Sequence, residues 1–117
     1  MNKEEIFAME PGKELNTRIA EDVMGRKVIV DQIFGDLELY IDDDGNSIYC
    51  PLQPYSEDIS AARIVVAKMV QLGHHEATFW KDDTRPEVIC RAALLAVLKE
   101  KEERGREERR LNFRIVS

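Results

Sequence analysis

The chain has 117 residues, with 17 Lys plus Arg against 23 Asp plus Glu and a formal net charge of −6. That length makes one domain around one hydrophobic core the default, and 44% hydrophobic residues is too many for a disordered chain. The acidic balance argues against a general nucleic-acid coat protein, because phosphate binding runs on clustered Lys and Arg.

The N-terminal stretch MNKEEIFAME is acidic and mixed, unlike a secretory signal. Asn2 with Glu5 three residues on reads as a cap facing a first-turn carboxylate. Pro11-Gly12 breaks this helix and starts a second, with Leu15, Ile19 and Val23 on one face and Gly25 as its stop. Residues 27–50 change to a period of two. Val28 and Val30 alternate with Lys27, Ile29 and Asp31, and Leu37, Leu39 and Ile41 alternate with Glu38, Tyr40 and Asp42. With a turn at Asp44-Gly45-Asn46 and a short extended piece ending at Pro51, this predicts a three-strand meander. Its apolar face calls for cover, and helices are the natural cover.

Ser56 reads as the cap of a helix carrying Ile59, Ala62, Val66, Met69 and Val70 on one stripe, with Gly73 as its end. Residues 76–81 (EATFWK) read as a fourth strand. Thr84-Arg85-Pro86-Glu87 has the form of a capping box, and the helix beyond it is apolar nearly all round to Leu98, as a buried helix would be. Its seven consecutive apolar residues, 92–98, fall well short of the roughly 18 of a membrane span. Residues 99–110 are charged at eleven of twelve positions, six basic and five acidic, so the helix is expected to run into solvent and fray near Gly105. Leu111, Phe113 and Ile115 then alternate like a C-terminal strand in need of an edge. The elements add up to an α/β (α+β) sandwich: an antiparallel-rich sheet of about four strands packed by three main helices, ordered α-β-β-β-α-β-α, with an added C-terminal strand. Residues 1–98 form the domain, and 99–117 a charged helical extension and that strand.

Chemical motifs are sparse. Asp42-Asp43-Asp44-Gly45-Asn46 fails as a calcium loop: with Gly45 sixth, Tyr40 would be the first ligand and Pro51 the twelfth. His74 and His75, as neighbours on an extended chain, point to opposite faces and do not share a metal ion. Cys50 and Cys90, without an export signal, read as free thiols of a reducing cytoplasm, with Cys90 packed in a core. No nucleophile-base pattern, P-loop or GxGxxG is present, so neither a catalytic residue nor a cofactor or metal is expected.

Two longer stretches carry a resemblance. Tyr55-Ser56-Glu57-Asp58-Ile59-Ser60-Ala61-Ala62, followed by Val65-Val66-Ala67-Lys68-Met69, is one. Arg85-Pro86-Glu87-Val88-Ile89-Cys90-Arg91-Ala92-Ala93-Leu94-Leu95-Ala96 is the other. Together they resemble the phage ABA-sandwich domain, a family of small proteins from tailed phages and prophages of Gram-positive bacteria. Its members pair a YSTDI-AAW-VV-KM helix with a PEAICRAALLA helix, and Ala20-Glu21-Asp22-Val23-Met24-Gly25 fits its first helix. The likeness covers residues 12–98. It departs at Arg63, where an aromatic is common, at Arg26, where a Trp usually follows the Gly, and in a short strand after Gly73. The resemblance implies an α/β sandwich of phage or prophage origin and transfers no activity or catalytic residue.

The expected role is therefore that of a non-enzymatic, cytoplasmic accessory protein acting through protein contacts as a homodimer, with Trp80, Leu111, Phe113 and Ile115 as candidate interaction residues. The alternative is a nucleic-acid-associated module, which requires Arg63, Lys68, Arg85 and Arg91 to gather into one basic face. A membrane partner is not expected.

Overall fold

A computed structural model describes residues 2–74 and 85–116, with side chains described for 2–74 and 85–105. The proposed fourth strand at 76–81, with Trp80, and Thr84 of the capping box lie outside the described residues. The order is α1 (Lys3–Ala8), α2 (Lys13–Arg18) running into a π-helical turn (Ile19–Val23), then β1 (Lys27–Asp31), β2 (Gly35–Ile41) and β3 (Ser47–Pro51). Helices α3 (Ile59–Gln71) and α4 (Pro86–Val116) complete it. The class is mixed α+β, with three strands among the described residues in the antiparallel order β1-β2-β3.

Local signals place most boundaries. The Asn2 side chain accepts from the Glu5 amide at 2.8 Å, capping α1. The π turn ends where the Arg26 amide reaches back to the Ala20 carbonyl at 2.8 Å, with Gly25 at φ +70°, in the left-handed region. Gly73 ends α3 in the same way, at φ +94°. The start of α3 differs from the sequence expectation: its cap is Asp58, whose side chain accepts from the Ser60 amide at 2.7 Å. Ser56 is buried instead, because the Pro54 carbonyl accepts from both the Glu57 and Asp58 amides and makes a separate turn before the helix.

The core is mainly helical. Ile6, Leu15, Ile19, Val23, Val65, Met69, Ile89, Cys90 and Leu94 are buried together with small Ala residues at 20, 61, 62, 92 and 93. Alanines let α3 and α4 approach closely, and α4 is buried on its first three turns as its nearly all-apolar sequence predicts. Buried polar groups bind the loop before α3 to α2. The Asn16 carbonyl oxygen Oδ1 accepts from the Ser56 amide at 2.8 Å and from the Ser56 hydroxyl at 2.6 Å, while the Ser56 Oγ accepts from the Gly12 amide at 2.9 Å. Arg91 donates from Nε and Nη2 to the Met9 carbonyl, at 3.0 and 2.7 Å, and so clamps the end of α1 to α4.

Two expectations are overturned. The C-terminal stretch with Leu111, Phe113 and Ile115 is not a strand: α4 continues without a break through Gly105 to Val116. Positions 111 and 115 are also four apart, a helical spacing, and in the charged run before them Arg104 donates to Glu100 at 2.5 Å, a favourable i,i+4 pair. The second correction concerns the sheet. The helices meet the face holding Val28 and Glu38, not the face of Leu37, Leu39 and Ile41.

Candidate functional site

Glu38 is fully buried at the centre of β2, directly across from Val28 on one side and Cys50 on the other. A lone buried carboxylate is prohibitive, so its partners decide whether the face can turn inward. Its Oε1 accepts from the Tyr55 hydroxyl at 2.5 Å and from Arg26 Nη1 at 3.4 Å, and its Oε2 accepts from the Gln53 amide at 2.9 Å. The Arg26 guanidinium also lies 4.4 Å from the Tyr40 ring centroid. Among the described residues no buried side-chain polar atom lacks a partner. Burial, with the hydrogen bond to Glu38 behind it, pushes the Tyr55 hydroxyl far above the ordinary tyrosine range. Burial likewise raises the Cys50 thiol, with the Glu38 charge adding to it. In α4 burial pushes the Cys90 thiol up to about 12, so at neutral pH it stays a protonated core residue. This group is a saturated structural network. Sequence reasoning missed it because Arg26, Glu38 and Tyr55 become neighbours only through the fold; the hint was a charged residue in mid-strand with Arg26 departing from the resembled pattern.

With Glu38 turned inward, apolar side chains are left outside. On the outer face Leu37 and Leu39 are half-buried, Ile41 is 69% exposed and Tyr49, across from Leu39, is 56% exposed. The most exposed large apolar residues sit at the β1–β2 hairpin: Val30 at 77%, Ile33 at 84% and Phe34 at 74%. This tip is held in one shape. Asp31 Oδ1 accepts from the Ile33 amide at 2.7 Å and the Phe34 amide at 2.9 Å, and Gly35 takes φ +78° to return the chain into β2.

A second apolar feature is concave. Leu94, Val97 and Leu98 of α4 floor a cleft of about 220 Å³ against the end of α2 and the π turn, with Arg18, Asp22 and Lys101 around its mouth. The larger depressions, such as one of about 630 Å³ lined by Glu5, Met9, Glu10, Lys13 and Arg18, are open and edged mostly by polar groups.

The four basic candidates differ in their settings. Arg63 is exposed and Lys68 half-buried, five positions apart on α3; Arg85 is exposed ahead of α4; Arg91 spends its guanidinium on Met9. Trp80 lies outside the described residues, and Leu111, Phe113 and Ile115 occupy the last turns of α4. In the Asp42 turn, the carboxylate accepts from the Asp44 amide at 3.0 Å and the Asn46 amide at 2.8 Å, a hairpin turn closed on its own backbone. His74 Nε2 lies 3.0 Å from Glu100 Oε2, joining the end of α3 to α4. No helix among the described residues is long and apolar enough to cross a membrane. Comparison of the chain with family models, curated proteins and solved structures finds no match.

Proposed function

We propose that this chain is a cytoplasmic accessory protein of phage or prophage origin that works through protein contacts, as a homodimer, and carries out no catalysis itself. One observation carries the proposal. Among the described residues the four most exposed large apolar side chains, Val30, Ile33, Phe34 and Ile41, all lie on the sheet half of the molecule, with Tyr49 beside them, whereas the exposed apolar side chains of the helical half, Phe7, Ile64, Val70 and Leu72, are spread over α1 and α3 and are no more than 56% exposed. Exposed apolar side chains grouped in this way mark interaction sites more often than single ones scattered over a surface. The phage origin rests on the resemblance of the two helical stretches.

Sedimentation equilibrium across a wide range of protein concentration tests the reading. Reversible self-association supports it. A monomer at every concentration overturns the homodimer, and duplex or single-strand binding in a low-salt mobility-shift assay would replace protein contact with nucleic-acid association.

A further inference from the structure

The hairpin tip and the α4 cleft complement each other. The tip is convex, apolar and flanked by the carboxylate of Asp31; the cleft is concave, apolar at its floor, and has two cations and one carboxylate around its mouth. A cavity of roughly 150 Å³ lined by aliphatic side chains admits a benzene ring, so a cleft of about 220 Å³ is large enough for the ring of Phe34. The tip stands at the far end of β1 from the π turn, about 17 Å along a five-residue strand. It is carried away from its own chain's cleft, whose walls include that turn. We propose that the β1–β2 tip of one copy docks in the α4 cleft of a second copy, seating Phe34 on Leu94, Val97 and Leu98, with Asp31 facing Arg18 and Lys101. This rests on the self-association reading above and names the surfaces that would perform it.

Several features favour a second copy over another occupant. Each surface supplies what the other lacks: bulk for the cavity, and a negative flank for a mouth with a surplus of positive charge. The tip is also fixed before it binds, because Asp31 and Gly35 set the turn, so little chain entropy is lost when it docks. Among two-fold arrangements both tips would be used, giving a closed pair; closed pairs are the commonest form of homo-oligomer.

Three variants and one crosslink test it. Phe34 is exposed, so Phe34→Asp leaves the core intact, and it is expected to weaken self-association at least about tenfold. Val97→Trp fills the cleft from its own side and is expected to give the same loss. Ile64→Asp, an exposed apolar position on α3 outside both the tip and the cleft, is expected to leave association unchanged. Circular dichroism checks that each variant is folded. A photoreactive benzoylphenylalanine at position 34 is expected to crosslink to the tryptic peptide of residues 92–99 of another molecule. If wild type associates while Phe34→Asp and Val97→Trp associate equally well, or the crosslink falls on another segment, this docking is overturned and self-association stands. A wild-type monomer overturns both.

Discussion

At the scale of single residues, the molecule turns on how two carboxylates are satisfied. Glu38 sits in the interior because three donors converge on it, and the shortest comes from Tyr55. Tyr55→Phe keeps the ring and removes only that hydroxyl. It is expected to destabilise the fold by about 1–3 kcal/mol, the usual penalty for stranding a buried acceptor, read as a lower urea midpoint with an unchanged slope. Replacing Glu38 as well, in Glu38→Gln with Tyr55→Phe, should cost less than the two single changes added together, because the pair is coupled. Asp31, at the surface, is satisfied by backbone donors instead. Its two backbone hydrogen bonds, Phe34 first and Ile33 second, hold its carboxyl below the ordinary 3.8. A folded value below the unfolded one means the carboxylate's contribution is present above the unfolded pKa and is lost as pH falls through the folded one. The turn at the hairpin tip is therefore expected to loosen only at acid pH, below about 4. A carboxyl-detected NMR titration of Asp31 should give a midpoint under 3.8, and loss of protection at the Ile33 and Phe34 amides should follow it.

At the scale of elements, what was legible in the sequence was what is local in the chain. The Asn2 cap, the glycines at 25 and 73 and all three described strands are set by residues within a few positions of one another, and they fall where pattern and turn chemistry place them. The facing of the sheet was not legible, because alternation reveals two faces but not which is the inner one. Leu37, Leu39 and Ile41 look like the core side until Arg26 and Tyr55, distant in sequence, make it possible to bury Glu38. Likewise Leu111, Phe113 and Ile115 fit a strand by alternation and a helix by the four-residue spacing of 111 and 115. The continuity of α4 decides for the helix. The candidate interaction features were half legible: the hairpin could be read, whereas the cleft joins α2, the π turn and α4 and exists only in the fold. Helix α1 illustrates the same dependence on distant partners. Six residues do not make a stable helix alone, and this one is fixed by Ile6 in the core and by Arg91 at the Met9 carbonyl. Arg91→Met keeps the apolar stem and removes the guanidinium. It is expected to cost about 1.5–3 kcal/mol, the range for a hydrogen bond from a charged group, with exchange at the amides of α1 accelerating ahead of those of α3.

At the scale of the whole molecule, the longest dimension is 56 Å against 37 and 26 Å, and its radius of gyration is 16.1 Å where a compact chain of this length has about 13 Å. A helix of 31 residues is about 47 Å long, and its core residues among those described lie between Ile89 and Leu98, so α4 accounts for much of that elongation. Charge is divided along the same line. Residues 1–98 carry 10 basic and 18 acidic groups, whereas 99–110 carry six and five. The negative charge belongs to the packed body, and the extension beyond it is nearly neutral. Its first turn still touches the body, since Glu100 reaches His74, but residues 101–104 are exposed. A chain ending at Gly105 therefore keeps every core residue among those described and the Glu100 contact. It is expected to unfold within about 0.5 kcal/mol of the full chain, the range of surface changes. The same variant separates two ways of pairing. Contacts through Leu111, Phe113 and Ile115 would be removed with the last turns of α4, and the shortened chain would sediment as a monomer. Contacts between the β1–β2 tip and the cleft lie wholly within residues 18–101, so self-association of the shortened chain should match that of the full one.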